Sequence, residues 1–182
     1  MRRRQLWLAG MAICALLVPW LGNVFYPWPY QTSFLSAGRT YGVSPYLLAA
    51  VARAESRFDP TAHSQRGAIG MLQILPQTAA YLTKQPLADQ AQALLRPSYS
   101  IAVGAEYLSL LRREFHSDSA AVAAYNGGDA TVREWISQGI WRPGESTRKI
   151  PYPETAAFVE RVRRYARWYE FLYPGRAAPG AH

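Results

Sequence analysis

Glu55 is the acidic residue whose position is most unusual for an acid. It lies four residues after Val51 and seven after Leu48, so a helix through this segment places it on the apolar face. Acids are seldom buried unless they are paired or functional, and desolvation raises a carboxyl pKa until the group can donate a proton near neutral pH. An ion pair with Arg53, Arg57 or another arginine at the helix end explains the position equally well. This helix alone therefore leaves two interpretations open, a buried proton donor and a salt-bridged acid.

Three short motifs follow one another around and after Glu55. The first reads Glu55-Ser56, then Ala62-x-Ser64, then Gly67-Ala68-Ile69-Gly70-Met71-Leu72-Gln73-Ile74-x-Pro76-x-Thr78-Ala79. The second reads Ala124-Tyr125-Asn126-Gly127-Gly128, and the third reads Ile150-Pro151-Tyr152-x-Glu154-Thr155 followed by Phe158-Val159. Together they resemble the signatures of the soluble lytic transglycosylase (SLT) domain family, in the same order and over about residues 38–172.

The resemblance implies a compact, mostly helical, lysozyme-like domain whose groove holds a peptidoglycan glycan strand. Glu55 matches the family's single catalytic glutamate, which would protonate the glycosidic oxygen between N-acetylmuramic acid and N-acetylglucosamine. As a base it would then take the proton of the muramoyl C6 hydroxyl, which gives a 1,6-anhydromuramoyl end without consuming water. Most glycosidases need two carboxylates, whereas this intramolecular route needs only one acid/base.

Five further residues match functional positions of that family. Ser64 and Gln73 match positions that hydrogen-bond the glycan near the cleaved bond. Tyr125 matches a tyrosine whose hydroxyl reaches the catalytic carboxyl, and Asn126 shapes the same turn. Glu154 matches an acidic position near the groove with a supporting role. The resemblance implies no cofactor.

The sequence departs from the family pattern at three points. Met71-Leu72 stands where Leu-Met is common, and Leu75 stands where methionine is frequent. These exchanges conserve volume and polarity, so they should cost little in packing. Gly127 replaces a frequent alanine, which should loosen its turn slightly. None of the three removes a functional group, although the preference among glycan subsites could differ.

Other charged residues receive simpler interpretations. Asp59 precedes Pro60, as is typical of a turn or cap residue. Three glutamates on amphipathic helices are expected to be solvated: Glu106, Glu114 and Glu134. Three arginines of the last helix are expected to form a solvated face: Arg161, Arg164 and Arg167. The histidines show no ligand spacing, so we expect no metal site.

The N-terminal segment indicates export from the cytoplasm. Three arginines at residues 2–4 precede residues 6–26, a run of 21 positions without a charged side chain. About 20 apolar residues can span a bilayer as a helix. A basic stretch before an apolar run is also typical of a cleavable signal peptide, but this run is long and lacks a clear small-x-small cleavage site. We favour an N-terminal transmembrane anchor, with the rest of the chain in the periplasm because the arginines stay inside. Cys14 is the only cysteine and lies within this run.

The remaining sequence predicts one mostly α domain. Its 182 residues suit one domain with a short appendage: an anchor or signal peptide with linker at 1–30, a catalytic domain at 31–175 and a flexible tail at 176–182. Ser44-Pro45 predicts a helix start, with an end near Asp59-Pro60. We expect an irregular segment at 61–73, helices from Pro76 and over 98–115, 120–126, 130–138 and 153–172, and a loop at 139–149.

The net charge of the sequence bears on which binding partners the protein could have. Residues 31–182 carry 17 basic and 12 acidic residues, a formal charge of +5, which either attracts polyanions or only solubilises the surface. No nucleic-acid module is recognisable, and export makes that partner improbable. Two alternatives to the lyase stay open, a hydrolase of the same fold that resembles goose-type lysozyme, with Asp59 or Glu154 as second carboxylate, and a glycan-binding scaffold. By analogy, a small anchored domain would also suit an envelope-spanning secretion or pilus machine.

Overall fold

The structure is a computed structural model that describes Trp7, Gly22 and residues 24–176. From residue 26 to residue 176 eight α-helices follow one another, joined by loops and a short 3₁₀ turn at Thr147–Lys149. The helices are α1 (Gln31–Tyr41), α2 (Pro45–Ser56), α3 (Pro76–Thr83), α4 (Leu87–Leu94), α5 (Pro97–Phe115), α6 (Asp118–Gly127), α7 (Asp129–Ser137) and α8 (Pro153–Leu172). The mostly α fold class is therefore confirmed.

Helix α2 is the central helix of the domain. The Ser44 side chain caps it by accepting from the Leu47 amide at 3.5 Å, and Pro45 occupies its first turn. Its residues from Pro45 to Ala52 are all buried, and α8 packs along it. A helix that is apolar on every side belongs in a core. Only its last turn carries polar residues, so the helix begins inside the core and ends at the surface.

The chain reverses sharply after α2. Arg57 and Phe58 both have positive φ, at 56° and 69°, which is uncommon outside glycine. The Phe58 ring is buried edge-on between the rings of Phe34 and Tyr169, with centroids 6.1 and 6.3 Å away. Packing of this ring holds the strained turn, and the helix ends a few residues earlier than the sequence predicted.

The irregular segment at 61–75 is held by side chains from three helices. Ser56 of α2 donates to the Met71 carbonyl at 2.8 Å, and Tyr125 of α6 donates to the Leu72 carbonyl at 2.7 Å. Ser100 of α5 accepts from the Leu72 amide at 3.2 Å. Met71 and Leu72 are themselves fully buried, so the exchange noted above lies within the core. These bonds satisfy backbone groups of a segment that has no helix or strand to do so.

The predicted elements agree with the structure, with small differences. The helix from Pro76 and the last helix at 153–172 are confirmed, and the others shift by a few residues at their ends. Helices α1 and α4 were not predicted individually. The loop at 139–149 is confirmed, but Trp141 within it is fully buried and therefore attaches the loop to the core.

Residues ahead of α1 also pack on the domain. Trp28 is buried against the rings of Tyr46, Tyr169 and Tyr173, with centroids 5.2 to 5.7 Å away. The predicted anchor at 6–26 lies almost wholly outside the described residues, as does the tail beyond residue 176. Among the described residues, no helix has the length and apolar character needed to cross a membrane.

Gly70 gives a test of the close packing of this segment. Its φ is +78°, and a Cβ there would meet the Leu94 carbonyl oxygen at 2.2 Å. Gly67 is the matched control, because its φ is +82° but a Cβ would meet nothing within 4 Å. Gly67→Ala should cost roughly 1–2 kcal/mol, the usual penalty of a left-handed backbone. Gly70→Ala should cost about 1–3 kcal/mol more, since backbone must move.

Urea unfolding followed by circular dichroism would measure both variants. Equal free energies of unfolding for the two would contradict the contact between Gly70 and Leu94.

Candidate active site

One groove contains all the site residues predicted from the sequence. It has a volume of about 570 Å³, and its walls come from α2, the 61–75 segment, α5, α6 and α8. The six predicted residues that line it are Glu55, Ser64, Gln73, Tyr125, Asn126 and Glu154. A larger cleft of about 1000 Å³ lies between α6 and α8. Of its four acids, Asp118, Glu145 and Glu160 form ion pairs with arginine or lysine and Glu170 is exposed, so none is a partly buried, unpaired carboxyl like Glu55.

Glu55 has the properties of a proton donor near neutral pH. Burial raises the pKa of its carboxyl to about 7, which is the largest of three effects on it. The last turn of α2 adds to this qualitatively, since the negative end of a helix dipole disfavours an anion. No hydrogen bond or ion pair joins this carboxyl to any residue within 24–176. The group is therefore partly desolvated and still faces a groove.

The ion-pair interpretation of Glu55 is wrong for the two nearest arginines. Arg53 donates to the Phe25 carbonyl at 2.7 Å and lies over the rings of Tyr26 and Tyr165, at 4.5 and 4.9 Å. Arg57 caps the end of α2 and is exposed. Neither forms an ion pair with Glu55, so these two arginines do not explain the position of this acid.

Two charges of α8 act on Glu55 in opposite directions. The Arg161 guanidinium lowers its pKa, and the Glu154 carboxylate raises it by a smaller amount. The prediction that Arg161 belongs to a solvated face is therefore wrong, because this side chain is half-buried near Glu55. Its spacing could have indicated this, since Arg161 follows Glu154 by two helical turns and Phe158 by three residues. Arg164 and Arg167 are exposed, as predicted.

Hydrogen bonds decide which atoms of Ser64 and Gln73 remain for a ligand. The Ser64 hydroxyl oxygen accepts from the Ala68 amide at 3.0 Å, so its own proton is left to donate. The Gln73 amide nitrogen donates to the carbonyls of Ala62 and Gly70, at 3.1 and 2.8 Å. Its carbonyl oxygen is thus left to accept. Gln73 also has a positive φ of 48°, a strained backbone of the kind found at functional sites.

Asn126 is oriented from α8. The Thr155 hydroxyl donates to its carbonyl oxygen at 2.9 Å, which leaves the Asn126 amide protons as donors. Gly127 provides the space for this contact, because a Cβ there would meet the Thr155 hydroxyl oxygen at 3.1 Å. The departure at Gly127 therefore affects the packing around Asn126. Thr155 belongs to the third motif, but its residue type alone does not predict this bond, which depends on how α8 lies against α6.

Tyr125 supports the floor of the groove. Its hydroxyl donates to the Leu72 carbonyl, not to the Glu55 carboxyl as the resemblance implied. The two groups are nevertheless close, because burial first and the Glu55 charge second raise the pKa of Tyr125 well above its usual value. While it donates to Leu72, the Tyr125 hydroxyl oxygen keeps lone pairs that can accept a hydrogen bond. Tyr107, which sequence reasoning missed, packs its ring against Tyr125 with centroids 5.2 Å apart.

Asp59, the acid nearest to Glu55 in the sequence, lies outside the groove. Asp59 accepts from the amide and hydroxyl of Thr61, at 2.8 and 2.7 Å, and these bonds lower its pKa. Its predicted role as a turn residue is confirmed. Within the part of the chain that the structure describes, no three acidic, histidine or cysteine side chains cluster in a way that could hold a metal ion.

A helical domain with one raised-pKa carboxyl in a polar groove is the arrangement of lysozyme-like proteins. Residues 32–146 match the transglycosylase SLT domain, and the chain belongs to that family. It is 32% identical over 150 residues to the soluble lytic murein transglycosylase of Salmonella typhimurium, covering 79% of this chain and 23% of the relative.

A second relative and a solved structure are also similar to this chain. The membrane-bound lytic murein transglycosylase C of Actinobacillus pleuropneumoniae is 35% identical over 109 residues, 52% of this chain and 29% of that protein. The structure of a 70-kDa soluble lytic transglycosylase in complex with bulgecin A matches with a TM-score of 0.75 at 26% identity, covering 88% of this chain and 27% of that one. The chain spans about a quarter of the length of these relatives.

The burial of Glu55 has a measurable cost in stability. Its pKa of about 7 exceeds the ordinary 4.5, so the folded state binds the proton more tightly than the unfolded state. The cost is absent below pH 4.5, grows as the pH rises, and is complete above pH 7, where it reaches about 3 kcal/mol. Glu55→Gln should therefore unfold at higher urea concentration than the wild type above pH 7, and the gain should disappear below pH 4.5.

Asp59→Asn is the matched control for this measurement. Its carboxyl has a lowered pKa, so its removal should destabilise the protein near neutral pH. A Glu55→Gln variant with the same stability difference at every pH would show that Glu55 does not titrate as described.

Proposed function

We propose that this chain is a peptidoglycan lytic transglycosylase with Glu55 as its single acid/base. The observation that carries the proposal is the partly desolvated Glu55 carboxyl, with its pKa raised to about 7, inside the groove of an SLT-family domain. A carboxyl of this kind is protonated often enough to donate and ionised often enough to accept at neutral pH. The relatives named as lytic murein transglycosylases support the same substrate and reaction class.

In the first proposed step Glu55 protonates the glycosidic oxygen, which links muramoyl C1 to C4 of N-acetylglucosamine. The bond from C1 to this oxygen breaks, and positive charge develops at C1 and the ring oxygen. In the second step the Glu55 carboxylate takes the proton of the muramoyl C6 hydroxyl. The C6 oxygen then bonds to C1. The glutamic acid is restored and no water is consumed, so the product is a 1,6-anhydromuramoyl end.

The remaining groove residues would hold the glycan. Ser64 and Asn126 offer donors and Gln73 offers an acceptor, as their internal hydrogen bonds dictate. Sugars with alternating hydroxyl and acetamido groups need both kinds of partner. Glu154 and Arg161 would set the charge around Glu55, and Tyr125 would hold the groove floor.

We also propose that the enzyme works on the outer side of the cytoplasmic membrane. The support is the uncharged run at 6–26 behind three arginines, which predicts an anchor with the positive-inside orientation. A role in opening the wall for a secretion or pilus machine stays a prediction.

Digestion of purified peptidoglycan tests the proposed reaction. The wild type should release fragments with 1,6-anhydromuramoyl ends, identified by mass spectrometry. Glu55→Gln should lower the rate about 10²- to 10⁴-fold, because general acid–base catalysis contributes that much. Asp59→Asn is the control, since this nearby acid is exposed and should leave the rate almost unchanged.

Other products would change the conclusion. Reducing muramoyl ends would make the protein a hydrolase, with Glu154 the groove carboxylate that could hold a water. No cleavage by the wild type or by Glu55→Gln would favour a glycan-binding scaffold.

The pH dependence of the rate tests the electrostatic environment of Glu55. The value of kcat/KM should fall on the alkaline side with a midpoint of about 7, as the proton donor is lost. Removing a charge that raises this pKa should move the alkaline limb to lower pH, so Glu154→Gln should shift it down. Arg161→Gln should shift it up for the opposite reason. Shifts in the same direction, or none, would contradict the assigned charge effects.

A further inference from the structure

A second surface of α8 combines arginines with exposed aromatic rings. It consists of Arg163, Arg164, Arg167, Trp168 and Phe171, and we call it the basic-aromatic face. With Glu160 these residues line a shallow open depression of about 470 Å³. Trp168 is 43% exposed and Phe171 is 63% exposed, and because the two rings contact each other they form one exposed aromatic patch. None of these residues lines the groove of Glu55.

The end of the predicted anchor lies against this face. The Tyr26 ring stacks on Trp168 with centroids 5.5 Å apart, and Trp168 contacts Phe171 at 5.9 Å. Phe25 is 63% exposed, while its carbonyl is held by Arg53. Gly22 lies so close to α8 that a Cβ there would meet Leu172 Cδ2 at 2.8 Å. The uncharged run therefore ends where the exposed rings are.

The charge of the face is suited to an anionic surface. Three arginines share the depression with one acid, Glu160, which already pairs with Arg163 at 2.7 Å. Arginine side chains can bury their aliphatic stems beside rings while their guanidinium groups reach phosphates. Tryptophan and other amphipathic aromatics concentrate at the level of lipid headgroups.

We propose that the basic-aromatic face rests on the bilayer and binds the phosphates of anionic phospholipids. The anchor holds the domain near the membrane, and this face sets which side of the domain meets it. Phe25 and Phe171 enter the interface, and the arginines contact the headgroups. Each arginine at an anionic surface strengthens binding about fivefold, so Arg164 and Arg167, which form no ion pair with Glu160, together contribute roughly 25-fold.

The test uses the full chain reconstituted into vesicles. A nitroxide spin label replaces Phe171, as Phe171→Cys in a Cys14→Ser background, because Cys14 is the only native cysteine. Electron paramagnetic resonance then compares collisions of the label with oxygen, which partitions into lipid, and with a water-soluble nickel chelate. In vesicles of phosphatidylglycerol and phosphatidylcholine, the label at 171 should meet oxygen more often. A label at Tyr81→Cys, on 68% exposed Tyr81 of α3, should meet the chelate more often.

Charge variants separate this proposal from simple tethering. Arg163→Gln, Arg164→Gln and Arg167→Gln together should return the label at 171 to water. Loss of three other exposed arginines, Arg39→Gln, Arg96→Gln and Arg113→Gln, should leave it in lipid. Vesicles of phosphatidylcholine alone should weaken the lipid contact as the first triple variant does.

Three results would overturn the proposal. In the first, the label at 171 is as accessible to the chelate as the label at 81. In the second, the lipid contact of the label at 171 is equal with and without phosphatidylglycerol. In the third, the triple variant of the α8 arginines changes this contact no more than the triple variant of the other three arginines does. Peptidoglycan digestion by the same variants, measured in detergent, reports on the fold and the Glu55 site separately. Failure of the lipid contact is therefore distinguishable from failure of the proposed lyase activity.

Discussion

The groove depends on the fixed position of the backbone at Met71 and Leu72. This stretch has no helix or strand to satisfy its amides and carbonyls, so side chains from three helices do so: Ser56, Ser100 and Tyr125. Buried backbone groups without partners would be costly, and each of these bonds therefore also ties one helix to the segment. Ser56 adjoins Glu55, and Gln73 follows directly after Leu72. The same bonds that stabilise the fold thus place the Glu55 carboxyl and the Gln73 side chain in one groove.

Glu55 acquires its raised pKa from the way α2 runs through the domain. The helix starts among fully buried residues and reaches the surface only in its last turn, so the acid is neither in the core nor in open solvent. Packing of Phe58 then forces the chain to turn away at once, with two residues of positive φ. A turn after α2 without positive φ would be less strained, but it would change the partly desolvated surroundings of Glu55. Strain and desolvation at one point are what a functional site is expected to show.

The sequence predicts most helices here because their ends carry strong local signals, such as Ser44-Pro45 before α2 and Pro153 at the start of α8. It does not predict α4 individually. There Gln90 is buried and accepts from Tyr99, a contact that only the tertiary fold supplies. The same limit applies to the site. Glu55 could be chosen from its helix face and motif, but the roles of Arg161 and Thr155 depend on how α8 lies against α2 and α6.

Helix α8 shows how one amphipathic segment can serve several surfaces. Phe158, Val162 and Tyr169 face the core, while Glu154 and Arg161 lie beside the groove. The basic-aromatic face extends from the Arg161 side of the helix, where Trp168 follows Arg161 by seven residues, round to Arg163 and Arg167, which point away from Glu154. None of its residues lines the groove, so lipid contact there would leave the groove open. Arginine suits both the groove and the basic-aromatic face because its planar guanidinium binds anions while its aliphatic stem packs on rings. Local burial decides whether a given arginine acts on Glu55, as Arg161 does, or is exposed to a partner.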